Sequence, residues 1–252
     1  MSKAKNALLT LACGDAYGNA YEMEGLMGAK FNKSQLPNEA QIKNYTDDTK
    51  MAMILWLHYS EYGTIIEDKL FEAYANWAER DGYADGIGIH TAAVLLRGKT
   101  DKSSQGNGVL MRVLPFGLRL IEEGLSFDEA VKLVNRDAAL THDNEIIRIT
   151  NRLCLDVAVN SLSALDKEEY IKILTRLKKG SSAWVIYTVY DVLDVLKMDL
   201  TILEGFKELV SRGGDTDTNC AIYGSLRGYN KTLELNLDNF LDKASQTILS
   251  IL

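Results

Sequence analysis

Proline is nearly missing from this chain: Pro37 and Pro115 are the only two in 252 residues. With so few breaks, and with helical periodicity recurring from end to end, no run of alternating strands competes with a helical reading. Cysteine is scarce as well. Cys13, Cys154 and Cys220 are odd in number, widely spaced and without a C-x-x-C pair, which argues against a disulfide framework and fits a reduced, cytoplasmic setting. The three histidines, His58, His90 and His142, have no H-x-x-x-H spacing, which argues against zinc. No apolar stretch approaches transmembrane length. The N-terminal MSKAKNALLTLACGD has two lysines and a short apolar run, but Cys-Gly-Asp breaks that run and no convincing cleavage region follows, so it is not read as a signal peptide. No G-x-S-x-G is present, and no cysteine is paired by context with a histidine as a nucleophile. Internal repeats of 20–50 residues and low-complexity linkers are absent too. The net charge of −7 argues against a sequence-independent binder of nucleic-acid backbones, which would usually be basic.

What remains is a hydrophobic fraction of 46% with 25% charged residues, ordinary for a soluble globular protein. The expectation is an all-α fold in a single compact multi-helix domain over residues 1–252. The first helix should run from about Ala4 into Ala16, with Asp15 projecting near its end. Gly14 and Gly18 leave room for another backbone to approach. An irregular loop should span about 25–45. A helix from Asp48 to Tyr62, capped by Thr46 or Asp47, carries Met51, Met53, Ile54, Leu55, Trp56 and Leu57 and is apolar nearly all round, so it is expected to be central. Further helices are expected at about 67–80, 88–98, 108–123, 127–140, 145–164, 167–178, 183–198, 202–211, 216–228 and 237–251. Capping boxes are expected at Ser126 with Glu129, Asp166 with Glu169, and Thr201 with Glu204. Val185, Val189, Val192 and Leu196 form one stripe.

Chemistry concentrates at two acidic clusters. Gly213-Gly214-Asp215-Thr216-Asp217-Thr218-Asn219 places two carboxylates at i and i+2 among hydroxyls. Far upstream stands Thr46-Asp47-Asp48-Thr49. Like charges so close repel unless a cation sits between them, and hard cations take carboxylate and hydroxyl oxygens. The bland alternative is an acidic turn capping a helix. A calcium EF-hand is excluded, since it needs Gly at Cys220 and Glu at Leu226. A third element, Gly106-Asn107-Gly108, opens a helix that carries Met111 and Arg112. Its N–H groups and positive helix end suit a phosphate, with a simple Asn107-capped start as the alternative; no Walker lysine follows. Arg112 reads equally as a phosphate ligand or an internal partner of an acid. His58 reads as a packed residue; His142, in Leu140-Thr141-His142-Asp143, stands where it can reach a ligand.

Together these motifs resemble the ADP-ribosylglycohydrolase family, the group that includes the dinitrogenase reductase-activating glycohydrolases. The resemblance rests on Gly14-Asp15-Ala16-Tyr17-Gly18 with Glu22, Tyr45-Thr46-Asp47-Asp48-Thr49, Gly106-Asn107-Gly108 with Met111-Arg112, Thr141-His142, and Gly213-Gly214-Asp215-Thr216-Asp217-Thr218. It spans roughly residues 8 to 228, with Met23 standing where many relatives carry an aromatic. The resemblance implies an all-helical fold with two divalent cations, magnesium or manganese. Thr46, Asp47 and Asp48 would form one side of the metal pair, and Asp215, Asp217 and Thr218 the other. Glu22 matches the acid near the metal-bound ribose. Gly106, Asn107, Gly108, Met111 and His142 match the positions holding ADP-ribose. Such enzymes release ADP-ribose from mono-ADP-ribosylated protein or small-molecule substrates, arginine side chains favoured here, by cleaving at C1″ of the distal ribose. Asp47, Asp48 and Asp217 are all candidates for the base. Two rivals stand beside this. A terpenoid-synthase-like enzyme needs D-D-x-x-D where Asp47-Asp48 runs into Thr49-Lys50-Met51. A non-catalytic relative, like the family's lens crystallins, would bind ADP-ribose or serve structurally.

Overall fold

The computed structural model describes residues 2–231 and 234–250. Among them are thirteen α-helices and no β-strand: α1 Lys3–Asn19, α2 Glu22–Leu26, α3 Asp47–Tyr62, α4 Glu67–Trp77, α5 Ile89–Arg97, α6 Leu110–Glu122, α7 Phe127–Ala138, α8 Glu145–Asn160, α9 Ile171–Leu174, α10 Val185–Leu196, α11 Ile202–Arg212, α12 Thr216–Asn230 and α13 Lys243–Ser250. The all-α architecture is as the sequence implies. No helix among the described residues is long and apolar enough to cross a membrane.

The centre of the fold is not where the apolar run points. In α1, fourteen of seventeen residues are buried, and in α12 twelve of fifteen. α3 buries only nine of sixteen, and its Leu57 is 48% exposed. The reason lies in backbone proximity rather than hydrophobicity. α1 and α12 pack so closely that a Cβ on Gly14 would stand 2.2 Å from the Cys220 carbonyl oxygen, and one on Gly18 would stand 2.3 Å from that of Thr216. Small side chains let two helices share an axis-to-axis distance that larger ones forbid. The central pair therefore hides in glycines and small polar residues.

Elsewhere the pattern mostly holds. The capping boxes at Ser126 and Thr201 form with both reciprocal bonds, and the valine stripe of α10 is buried. The third box does not form. Glu169 turns its carboxylate to Arg152 at 3.0 Å, and the helix expected at 167–178 shrinks to a 3-10 turn at Glu168–Tyr170 followed by the single turn α9. The helix expected to reach residue 164 stops at Asn160, where Ser161 takes a positive φ of 60°. Near the C-terminus, a 3-10 turn at Leu237–Asn239 precedes α13; residue 251, expected to end that helix, lies outside the described residues. Pro115 sits inside α6 rather than at its edge.

Candidate active site

Four chain segments deliver the acidic residues to one place. α11 ends at Arg212, and Gly213 and Gly214, with φ of 69° and 82°, turn the chain into α12. That left-handed pair is open to glycine and strained for other residues. The Gly214 N–H donates to the Gly25 carbonyl at 3.0 Å, which docks α2 on the turn and brings Glu22 to the start of α12. The carboxylate oxygens of Glu22, Asp215 and Asp217 lie within 4.8 Å of one another.

The other acidic cluster meets this one at the start of α3. Asp15, fully buried in α1, accepts from the Thr46 and Thr49 hydroxyls at 2.7 and 2.6 Å and from both residues' N–H groups at 3.0 and 3.1 Å. Thr46 thus stands at the N-cap of α3 with its hydroxyl proton turned to Asp15 rather than to the helix. Asp215 likewise stands at the N-cap of α12 without a side-chain capping bond; its Oδ2 accepts instead from Asn107 Nδ2 at 2.7 Å. Thr46 thus takes the expected N-cap position, but neither it nor Asp215 makes a side-chain capping bond. Asp48 Oδ2 lies 3.5 Å from the hydroxyls of both Thr46 and Thr218, so the two clusters touch although 170 residues separate Asp48 from Thr218.

Asp15, Glu22, Asp47, Asp48, Asp215 and Asp217 take part in none of the ion pairs among the described residues. Asp48 Oδ1 is buried with no hydrogen-bond partner. Burial first, and then the neighbouring carboxylates, push the carboxyls of Asp47, Asp48 and Asp217 well above the usual range. Glu22 is raised to about 7 by burial and by Asp215 and Asp15. An unpaired buried oxygen in a set of carboxylates and hydroxyls is a donor set suited to hard divalent cations. The residues fit such ions.

A cavity of about 410 Å³ opens over the cluster, within the roughly 300–1,000 Å³ typical of small-molecule sites. Glu22, Asp47, Asp215, Asp217 and Thr218 line one part, and Gly106, Asn107, Gly108, Met111 and His142 another. Thr46 and Asp48 are buried and are not among the lining residues. The glycine turn is less open than its sequence suggests. Gly106 N–H donates to Ser104 Oγ at 3.3 Å and Asn107 N–H to the Ala183 carbonyl at 3.1 Å, so of the three only the Gly108 amide has no partner among the described residues. Arg112 is not a phosphate ligand: fully buried, it pairs with Asp137 at 2.9 Å and donates to the Gly108 carbonyl and the Thr141 hydroxyl. Its guanidinium is the internal partner of an acid.

His58 is packed, its Nε2 accepting from the Ile66 N–H. His142 is buried, and burial, Arg112 and His90 lower its pKa to about 3. His90, which sequence reasoning passed over, also lines the cavity, its ring 4.7 Å from that of His142. The sequence places Asp15 near a helix end and in the first motif of the resemblance without assigning it a role; its bonds to Thr46 and Thr49 aim the start of α3. The threonines flanking Asp47-Asp48 are the signal that points to it. The three cysteines are buried and unpaired, and burial raises the Cys154 thiol to about 12, unsuited to nucleophilic work.

The family model for ADP-ribosylglycohydrolase matches residues 1–229. The chain belongs to the ADP-ribosylglycohydrolase family. A curated relative from Acanthamoeba polyphaga mimivirus, "Putative ADP-ribosyl glycohydrolase L543", is 23% identical over 300 residues, an alignment covering 95% of this chain and 91% of the relative. A solved structure described as an ADP-ribosylglycohydrolase-related protein complex superposes with a TM-score of 0.73 at 22% identity, over 99% of this chain and 95% of that one. At that identity the likeness speaks for the fold.

Proposed function

We propose that this chain is a metal-dependent hydrolase that removes ADP-ribose from mono-ADP-ribosylated substrates, arginine side chains favoured, by cleaving the bond at C1″ of the distal ribose in a cytoplasmic setting. The observation that carries the reading is the meeting of two acidic clusters, unpaired with any Lys or Arg among the described residues, at the floor of a cavity whose other wall is the glycine turn.

Thr46, Asp47 and Asp48 on one side, and Asp215, Asp217 and Thr218 on the other, would hold two divalent cations, magnesium or manganese, with Glu22 close enough to Asp215 and Asp217 to share in binding. Such ions supply Lewis acidity toward the ribose hydroxyls and a water of lowered pKa. The chain's own groups do the rest. Breaking a ribosyl–nitrogen bond develops positive charge at C1″, as in glycoside hydrolysis, and the surrounding carboxylates favour that charge. One of Asp47, Asp48 and Asp217 accepts the proton of the attacking water. The water's oxygen bonds to C1″, the C1″–N bond breaks, and the departing nitrogen takes up a proton. Gly106, Asn107, Gly108, Met111 and His142 bind the remainder of ADP-ribose, with Asn107 also orienting Asp215 through its 2.7 Å bond.

The test is to incubate the purified protein with arginine- and serine-linked ADP-ribosyl peptides and magnesium or manganese, and to assay free ADP-ribose. Release from the arginine-linked peptide that stops on chelation is expected. No release from either peptide would leave a non-catalytic ADP-ribose binder in its place.

A further inference from the structure

His142 enters the proposed reaction only as one of several groups that bind ADP-ribose, yet the wiring behind it is specific. The side chain is 2% exposed, and its Nδ1 lies 2.9 Å from Thr141 Oγ1. Its Nε2 has no hydrogen-bond partner among the described residues and faces the glycine turn, 3.4 Å from where a Cβ on Gly106 would stand.

The proton on the imidazole can be located from its neighbours. Arg112 only donates, and its Nη2 gives a hydrogen bond to Thr141 Oγ1 at 2.9 Å. That hydroxyl is fully buried and has one proton to place. Among the described residues its one acceptor is His142 Nδ1. The reverse arrangement, with Nδ1–H donating, would leave the hydroxyl proton buried and unpaired, which folded proteins avoid. The Thr141 carbonyl acts similarly on the neighbouring ring: it lies 3.0 Å from His90 Nε2, which must therefore carry the proton, while His90 Nδ1 faces the Lys99 ammonium at 3.4 Å.

We propose that Thr141, held in place by Arg112, is a positioning residue that fixes His142 as the neutral Nε2–H tautomer, so that the ring presents a hydrogen-bond donor to an oxygen of the ADP-ribose diphosphate or its adjoining ribose. The ligand half rests on the function proposed above; the tautomer half does not. Burial and the Arg112 charge disfavour a second proton on the ring, which keeps it a single-donor group.

The experiment combines nitrogen-15 NMR of the histidine side chains at neutral pH with calorimetric titration of ADP-ribose in magnesium, both on the full chain. The His142 signals are assigned by their loss in His142→Gln. In wild type, Nδ1 should show the shift of an unprotonated nitrogen and Nε2 that of a protonated one. Thr141→Val should release the tautomer and weaken ADP-ribose binding about threefold or more, because the donor form is no longer enforced. Thr141→Ser should restore both. A wild-type Nδ1–H tautomer overturns the proposal by itself, even if Thr141→Val fails to fold, and so does a Thr141→Val protein with unchanged tautomer and affinity. An Nε2–H tautomer in a wild type that binds no ADP-ribose would overturn the ligand half, and with it the proposed function, while upholding the tautomer.

Discussion

Two groups of buried charges lie close together in this fold, and they are treated in opposite ways. Arg112 and Asp137 are both fully buried, 2.9 Å apart. The Tyr74 hydroxyl donates to the second Asp137 oxygen at 2.8 Å, and Arg112 also donates to Gly108 and Thr141. Every strong group there has a partner from the chain itself. At the start of α3 and α12, buried carboxylates have no Lys or Arg paired with them among the described residues, and one oxygen of Asp48 has no hydrogen-bond partner among them. Both places bury their acids, though the second faces the cavity; compensation differs outright. A buried charge costs several kcal/mol unless it is paired, so the cluster lacking an internal partner is the one to which the proposed function assigns cations from solution.

The contrast predicts opposite responses to removing one charge. Arg112→Met leaves Asp137 buried and uncompensated, and should lower folding stability by about 3–5 kcal/mol, read as a shift in the urea midpoint. Asp215→Asn removes one charge from a set that repels itself. The metal-free variant should be no less stable than wild type, while the thermal shift on adding magnesium or manganese shrinks. Turnover should fall by orders of magnitude, because in the proposed reaction both ribose orientation and water activation depend on the ions. If Asp215→Asn kept its full metal-induced shift and full turnover, the comparison would collapse.

The acidic cluster was legible because its chemistry is local: Asp and Thr at short spacing before an apolar helix, twice. The paired cluster was not. Nothing in the sequence around Arg112 names Asp137, 25 residues away on α7, as its partner, so a phosphate ligand and an internal ion pair looked alike. The centre of the fold was hidden for a related reason. Hydrophobicity marks what a helix can bury, and it pointed to α3. The close approach of α1 and α12 depends on glycines facing backbone, of which Gly14 and Gly18 gave a hint without naming what they would meet. His90 was missed because its role depends on Thr141, 51 residues on.

pH sharpens the comparison further. In the metal-free protein, burial and mutual repulsion raise Asp47, Asp48 and Asp217, and carry Glu22 to about 7. Unfolded, these groups titrate near the ordinary value of about 4. Between those limits the native state binds more protons than the unfolded one, so metal-free stability should fall as pH rises from about 4 through 7. Cations must displace those protons, so metal affinity should rise over the same window. Melting curves of chelated and magnesium-loaded protein should therefore diverge with increasing pH. Parallel curves would mean that the ions bind elsewhere.

The smallest effect expected is at the glycine turn, where the open side of the molecule can be probed without disturbing the closed one. Of its three amides, only that of Gly108 has no hydrogen-bond partner among the described residues. A methyl group there would stand 3.3 Å from the Thr91 hydroxyl, tight but relieved by a small rotation of one side chain. Gly108→Ala should therefore keep the helical circular dichroism of wild type, while its methyl, crowding a phosphate that approaches the retained N–H, weakens ADP-ribose binding about threefold or more. Gly14→Ala is the matching control, since its methyl would press to 2.2 Å on the Cys220 carbonyl and no side chain can rotate away from that contact. It should lose stability with the fold, whatever the ligand. If Gly108→Ala binds ADP-ribose as wild type does, the diphosphate lies away from this turn.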